Sequence, residues 1–245
     1  MTRNQARVLV VVPCYNEEAV IAAVVSDIYQ VKAHHQLRLD VLVVNDCSTD
    51  RSIDIIRTLP CLYLDLPVNL GIGGAMHAGY KYAWRNGYDI AVQMDGDGQH
   101  PANQLMTILT PILDNQADVV IGSRFIEKEG FQSSAMRRVG INYFRRLNQA
   151  LIGQTIYDST SGFRAFNRRT LEIVNRYYPD EYPEPEAIVL FGLSKLHIQE
   201  VPVIMRERQG GVSSINSSKA LYYMLKVSLG ILFVYARLVR KNLTH

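Results

Sequence analysis

The chain has 245 residues, 48% of them apolar and 20% charged, a balance that suits one globular domain with an appendage and excludes disordered, collagenous and multi-span membrane classes. Its net charge of +3 is too small to argue for nucleic acid as a partner. The charge is unevenly placed. From Val203 onward stand seven basic residues (Arg206, Arg208, Lys219, Lys226, Arg237, Arg240, Lys241) and one acid, Glu207, giving +6; residues 1–202, with nineteen basic against twenty-two acidic, carry −3.

Short apolar runs alternate with amphipathic ones as a parallel sheet with crossover helices requires. Val8 to Val12 predicts a buried strand, Glu17 to Gln30 a helix, Val41 to Val44 a strand and Ser52 to Thr58 a helix. Leu62 to Leu64 reads as a strand, Asn69 to Gly74 as a glycine-rich turn, Ala75 to Arg85 as a helix and Ile90 to Met94 as the fourth strand. This βαβαβαβ order predicts an α/β fold whose ligand sites lie at the carboxyl ends of the strands. Further on, the pattern predicts strands at Asp118 to Ile121, Arg164 to Asn167 and Ile198 to Met205, with helices at Arg137 to Ile152, Arg169 to Tyr177 and Glu186 to Leu196. One long helical pattern closes the chain, from about Ser217 to Asn242.

Cys14, Cys47 and Cys61 show no CxxC spacing, so they read as reduced thiols rather than zinc ligands or disulfides. The apolar run before Pro13 is too short for a signal peptide, which places the body in the cytosol.

Polar clusters follow three strands. Pro13-Cys14-Tyr15-Asn16-Glu17 and Asn45-Asp46-Cys47-Ser48-Thr49-Asp50 hold side chains that cap helices or bind a ligand; Asn16, Ser48 and Asp50 are the cap candidates. The third cluster, Asp95-Gly96-Asp97-Gly98-Gln99-His100-Pro101, sets two carboxylates one residue apart, with glycines leaving room beside them. Such a pair suits a hard-oxygen site for Mg²⁺ or Mn²⁺ on a diphosphate, or, taken alone, a plain turn with solvated acids. A calcium-binding EF-hand would require further acids where Gln99 and Pro101 stand. Gly71-x-Gly73-Gly74 is not the GxGxxG of a dinucleotide site.

Six motifs occur in order: Pro13-x-Tyr15-Asn16-Glu17, Asn45-Asp46-x-Ser48-x-Asp50, Asn69-x-Gly71-x-Gly73-Gly74-Ala75, Asp95-x-Asp97-x-Gln99-His100-Pro101, Gly122-Ser123-Arg124 and Ser161-Gly162-Phe163-Arg164. Over roughly residues 8–215 the chain resembles the family 2 glycosyltransferases of GT-A fold, in the branch similar to dolichol-phosphate mannose synthase and the bacterial polyprenyl-phosphate sugar synthases. That resemblance implies a nucleotide site framed by Pro13, Tyr15, Glu17 and Asp46, with Gly71, Gly73 and Gly74 giving the nucleotide close passage and Asp95 against ribose or sugar. Asp97, with Gln99, would bind the metal. Arg124, and more loosely Arg137 or Arg138, would face an acceptor phosphate. Arg208-x-x-Gly211-x-Ser213-Ser214 resembles a late loop that closes over donor and acceptor, with Arg206 assisting.

The family inverts the sugar's C1 configuration, so the resemblance implies inverting, metal-dependent transfer from a UDP- or GDP-sugar to a polyprenyl phosphate or lipid-linked glycan. A phosphate acceptor is already ionised near pH 7 and requires no base, whereas a sugar hydroxyl must lose its proton. Glu184 or Glu186 is the base for that alternative, or else serves the N-terminus of the following helix. A non-catalytic nucleotide-sugar binder would keep Asp46 and Asp97 but has less reason to keep Arg124 and the Arg208 loop.

Nineteen mostly apolar residues, Leu221 to Val239, tempt a spanning assignment. Lys219, Lys226, Arg237 and Lys241 share one stripe about 60° wide, and spanning would place Lys226 and Arg237 in hydrocarbon at about 2.5 to 3.5 kcal/mol each near the centre. The expectation is therefore a GT-A domain over 1–215 and an amphipathic helix over 216–245. That helix would dock on a membrane surface, its basic stripe drawn to anionic lipid, or on the protein or a second subunit with the stripe solvated. The protein would then be peripheral, at the inner face of the cell membrane.

Overall fold

A computed structural model of the chain describes residues 5–127, 135–179, 182–206 and 220–242. Within them β1 (Arg7–Cys14), β2 (Arg38–Asn45), β3 (Leu62–Asp65), β4 (Ile90–Gln93), β5 (Val119–Ser123), β6 (Arg164–Asn167) and β7 (Ile198–Pro202) form one sheet in the order β3-β2-β1-β4-β6-β5-β7. Only β6 runs against its neighbours, β4 and β5; the other pairings are parallel. The helices are α1 (Ile21–His35), α2 (Ser52–Ile56), α3 (Gly71–Arg85), α4 (Leu105–Leu113), α5 (Ala135–Ile152), α6 (Arg168–Arg176), α7 (Pro183–Leu193) and α8 (Ala220–Asn242). The architecture is the expected α/β one.

Side-chain alternation explains the layers. Val8, Val10 and Val12 of β1 pack into a core with Ile21, Val24 and Ile28 of α1 and Leu105 and Ile108 of α4. Leu9 and Val11 point the other way, into a core with Met76 and Tyr80 of α3, Leu171 of α6 and Ile188 of α7. Successive strand residues face opposite sides, and a strand covered on both sides reads as an unbroken apolar run.

Several boundaries depart from expectation for identifiable reasons. Helix α1 begins at Ile21 rather than Glu17 because the amides of Asn16, Glu17 and Glu18 donate to Ser48 Oγ, Ser52 Oγ and Asp50 Oδ2, across the loop after β2. Asn16 is accordingly not a helix cap; its backbone is left-handed (φ 56°) and its side-chain oxygen accepts the Thr49 amide. Helix α3 starts at Gly71, so the expected glycine turn is its first turn, and α7 starts at Pro183, three residues before Glu186. Helix α4 was not expected: Leu105–Leu113 has no side-chain cap and contains Pro111.

Helix α8 packs on the body of the protein, one of the expected alternatives. Val227, Ile231 and Val234 are buried in the core that holds α7. Lys226 lies over the Tyr182 ring (5.6 Å) and is partly buried, while Arg237, over the Tyr177 ring (4.6 Å), stays exposed. Exposed on the outward side are the apolar Leu225, Leu229, Leu232 and Phe233, Phe233 at 73%, together with Arg237 and Arg240. No helix of the described residues is long and apolar enough to cross a membrane. Lys219 lies outside the described residues and the Lys241 side chain is not described.

Candidate active site

Strand order turns back between β1 and β4, and the crevice at such a switch point is where an open α/β sheet binds ligands. Pro13 to Glu17 leave β1 and Asp95 to Gly98 follow β4 at that crevice. Tyr15 is half exposed there, presenting an aromatic face. Gly96 permits the approach of the two segments, since a Cβ on it would lie 2.7 Å from the Pro13 carbonyl oxygen.

Asp46, buried at the end of β2, organises the next segment: its Oδ1 accepts the Leu70 amide (2.7 Å) and its carbonyl accepts Asn69 Nδ2 (3.0 Å). It therefore fixes the entry to α3 as well as lying beside the crevice. Gly74, expected to make room for the nucleotide, is demanded by the chain itself, because an added Cβ would sit 2.5 Å from Leu70 Cβ. Gly71 is the member with a left-handed backbone (φ +72°), and a Cβ placed on it would meet nothing within 4 Å.

Asp97 is 2% exposed and its Oδ1 accepts the Gln99 amide (3.0 Å). The Gln99 carbonyl in turn accepts the Arg206 amide (3.0 Å), tying the segment after β7 to the acidic loop. The Asp95 amide donates to His100 Nδ1 (3.0 Å), which puts the imidazole proton on Nε2, 3.7 Å from Asp95 Oδ2. His100 stacks on Phe163 at 4.9 Å. Among the described residues no group of three or more His, Cys, Asp or Glu is poised to hold a metal. The Asp95 and Asp97 carboxylates nevertheless fit a divalent cation that takes its other oxygens from a diphosphate and water, the usual habit of Mg²⁺.

Beneath Asp95 lies a polar layer that sequence reasoning missed. Gln93, fully buried, accepts from Tyr80 Oη (3.0 Å) and points Nε2 toward Asp95 Oδ1 (3.5 Å). Its cross-strand partner Arg164 is also fully buried, with Nε on the Ser161 carbonyl (2.7 Å) and Nη2 on that of Ser159 (3.0 Å). Gly162 must lack a side chain, since a Cβ would meet Gln93 Nε2 at 2.8 Å and the Asp95 oxygens at 3.2 and 3.3 Å.

The two candidate bases part company. Glu184 faces this layer: burial pushes its carboxyl above the usual glutamate range, Asp95 adds to the rise, and Arg164 and a Gln93 hydrogen bond oppose it. Glu186 turns to α8, where a Cβ on Gly230 would lie 2.5 Å from its Oε1. The expectation of Glu186 as a base is therefore corrected, because two residues on a helix differ by about 200° in direction.

Arg124, expected to face an acceptor phosphate, is anchored by Asp158, which it grips bidentately, Nε to Oδ2 and Nη2 to Oδ1, both at 2.8 Å, and Nη2 also reaches Thr160 Oγ1 (3.1 Å). Burial opposes its charge, but Asp158 and then Asp95 more than offset this, so the guanidinium is held above its ordinary range. Its charge is thus felt at Asp95. No sequence signal marked Asp158, which precedes the SGF motif by three residues. Arg137 and Arg138 fall in the first turn of α5 with side chains outside the description, and Arg208, Gly211, Ser213 and Ser214 lie outside the described residues.

A mostly parallel sheet with acids at its switch point defines a nucleotide-binding α/β enzyme framework. The pattern of the family described as Glycosyl transferase family 2 matches residues 9–174, and the chain belongs to that family; it is a glycosyltransferase. It is 28% identical to UDP-N-acetylglucosamine–dolichyl-phosphate N-acetylglucosaminyltransferase of Methanococcus voltae, over 91% of this chain and 96% of that one. It is 30% identical to polyprenol monophosphomannose synthase of Mycolicibacterium smegmatis, over 92% and 87%. The fold is that of glucosyl-3-phosphoglycerate synthase from Mycobacterium tuberculosis, crystallised with Mn²⁺, UDP and phosphoglyceric acid: TM-score 0.69, 18% identity, 94% of this chain and 79% of that one.

Proposed function

We propose that the chain transfers a sugar, with inversion, from a UDP- or GDP-sugar to a polyprenyl phosphate. The observation that carries this reading is the acidic loop Asp95 to Asp97 at the strand switch point, with Asp97 buried and Gly96 packed against the Pro13 carbonyl. Relatives named for transfer to dolichyl phosphate and for polyprenol monophosphomannose synthesis support the acceptor class. An oxygen of the acceptor phosphate attacks C1 of the donor sugar as the bond from C1 to the diphosphate oxygen breaks and its electron pair leaves with the nucleoside diphosphate. The acceptor is already ionised, so no proton need be removed from it.

Tyr15, Pro13, Glu17 and Asp46 hold base and ribose. Asp95, backed by Gln93 and His100, orients the sugar. Asp97, with Gln99, would hold Mg²⁺ or Mn²⁺, which when bound supplies positive charge to the departing diphosphate. Arg124 faces the acceptor phosphate, joined by Arg137, Arg138 and, in the late loop, Arg208 and Ser213. Residues 1–215 carry this chemistry and 216–245 dock the enzyme, as a peripheral protein, at the inner face of the cell membrane.

A second reading has one observation in its favour: the raised carboxyl of Glu184 beside Asp95 suits a base for a sugar-hydroxyl acceptor. A thermal-shift series with UDP- and GDP-sugars plus Mn²⁺ tests the donor site: wild type should be stabilised by one base class and Asp97→Ala should not. An equal response from both proteins would remove Asp97 from the metal site. Product formed on undecaprenyl phosphate and undiminished in Glu184→Gln supports the first reading; product only on a glycolipid hydroxyl, abolished in Glu184→Gln, supports the second.

A further inference from the structure

The Arg124 guanidinium is held by a chain of polar groups that runs back to the edge strand of the sheet. Glu200, in β7, sits opposite Ile121 of β5 in the parallel register. Its carboxylate reaches out of the sheet to accept two consecutive amides, Tyr157 N on Oε2 (2.7 Å) and Asp158 N on Oε1 (2.8 Å). Those bonds fix the turn carrying Asp158, whose side chain is wholly buried. Asp158 then accepts Arg124 Nε and Nη2 at 2.8 Å and the Arg124 amide at 3.2 Å. Thr160 Oγ1 closes the arrangement, accepting from Arg124 Nη2 (3.1 Å) and donating to Asp158 Oδ1 (3.3 Å).

We propose that Glu200, Asp158 and Thr160 are positioning residues that fix the plane of the Arg124 guanidinium for the acceptor. The inference rests on the reading that Arg124 opposes an acceptor phosphate. Buried ion pairs are weak stabilisers, since apolar packing of the same volume serves stability as well or better. Three polar side chains and two amides engaged to hold one guanidinium are therefore better explained by geometry than by stability. A bidentate carboxylate fixes both the position and the plane of a guanidinium, and a donor oriented beforehand spares the acceptor the loss of ordering it. Because Asp158 balances the Arg124 charge, the arginine acts on the acceptor through direction more than through net attraction, and loosening it should weaken acceptor binding selectively.

The test is steady-state kinetics with detergent-dispersed undecaprenyl phosphate, comparing wild type with Thr160→Val, Glu200→Gln and, as reference, Arg124→Lys. Thr160→Val keeps shape and removes only the hydroxyl, so folding should survive. Thr160→Val and Glu200→Gln should each raise the acceptor KM about fivefold to tenfold while the donor KM stays within about twofold. A rise in the acceptor KM for Arg124→Lys alone, with the other two unchanged, would overturn the positioning role and leave Arg124 in place. So would donor and acceptor KM rising together in step with a lower Tm. An acceptor KM insensitive to Arg124→Lys would remove the underlying reading, and the proposal with it. A readout independent of turnover is the Arg124 Nε–H signal in ¹⁵N NMR. It should be protected from exchange in wild type and lose protection in Thr160→Val and Glu200→Gln; retained protection counts against the proposal.

Discussion

Cys14 closes β1 one residue before Tyr15, and its thiol is buried. Burial pushes its pKa to about 11, a Ser52 hydrogen bond pulls against the rise, and the charge of Glu17 adds to it. Only the thiolate reacts with alkylating agents, so at pH 8 about one Cys14 in a thousand would be reactive. Because the folded-state value is raised, reactivity should grow with pH up to that value and stay low below it. Mass spectrometry after brief iodoacetamide treatment of the folded protein at pH 8 should find Cys47 labelled well ahead of Cys14, and Cys14 labelled fully only after denaturation. Rapid Cys14 labelling at pH 8 would contradict the burial. At this scale the sequence displayed Asp95 and Asp97, because a strand end with flanking glycines is local. It did not display Asp158 as the partner of Arg124, which stands 34 residues away, or Glu200, whose amide partners lie more than 40 residues off. Nor did it separate Glu184 from Glu186, since their directions depend on where α7 begins.

Elements were legible where periodicity was complete and not where a boundary depends on tertiary partners. Strands β1, β2 and β4 were plain because each is apolar on both faces and ends in a polar cluster. The start of α1 was misplaced because its first amides are satisfied by the loop at 48–52, and α4 was missed for want of a cap or a clean start. For α8 the basic stripe was visible, but the tyrosines that Lys226 and Arg237 lie over, Tyr182 and Tyr177, are distant in sequence. The orientation now assigned to α8 separates two adjacent residues: Ile231 is fully buried and Leu232 is 45% exposed. Ile231→Ala should cost about 2 to 4 kcal/mol through lost burial and the cavity left behind, whereas Leu232→Ala should stay within about 0.5 kcal/mol. Urea unfolding measures both; equal losses would mean α8 is rotated from the orientation described.

Across the whole molecule the uneven charge acquires a location. Helices α5 and α8, 18 and 23 residues long, contain no Asp or Glu and touch through the hydrogen bond from Ser228 Oγ to Tyr143 Oη (3.0 Å). Tyr143 is exposed, as is Arg146 one turn on, and Arg145 lies over the half-exposed Tyr157 ring at 5.7 Å. Beside them runs the outward row Leu225, Leu229, Leu232 and Phe233, flanked by the exposed Arg240. Apolar and aromatic side chains among arginines, with no acid on either helix, suit an anionic lipid surface. On the membrane-docking reading proposed above, this geometry makes the apolar row, rather than the partly buried Lys226, the lipid contact. The protein should therefore sediment with vesicles containing anionic lipid and much less with neutral ones, and the difference should shrink as salt rises. Phe233→Asp with Leu229→Asp should release it even at low salt, while Lys226→Gln should not. Release by Lys226→Gln alone would restore the basic stripe as the lipid contact. A wild-type protein that ignores vesicles but runs as a dimer, and becomes a monomer in Phe233→Asp, would assign the same row to a second subunit.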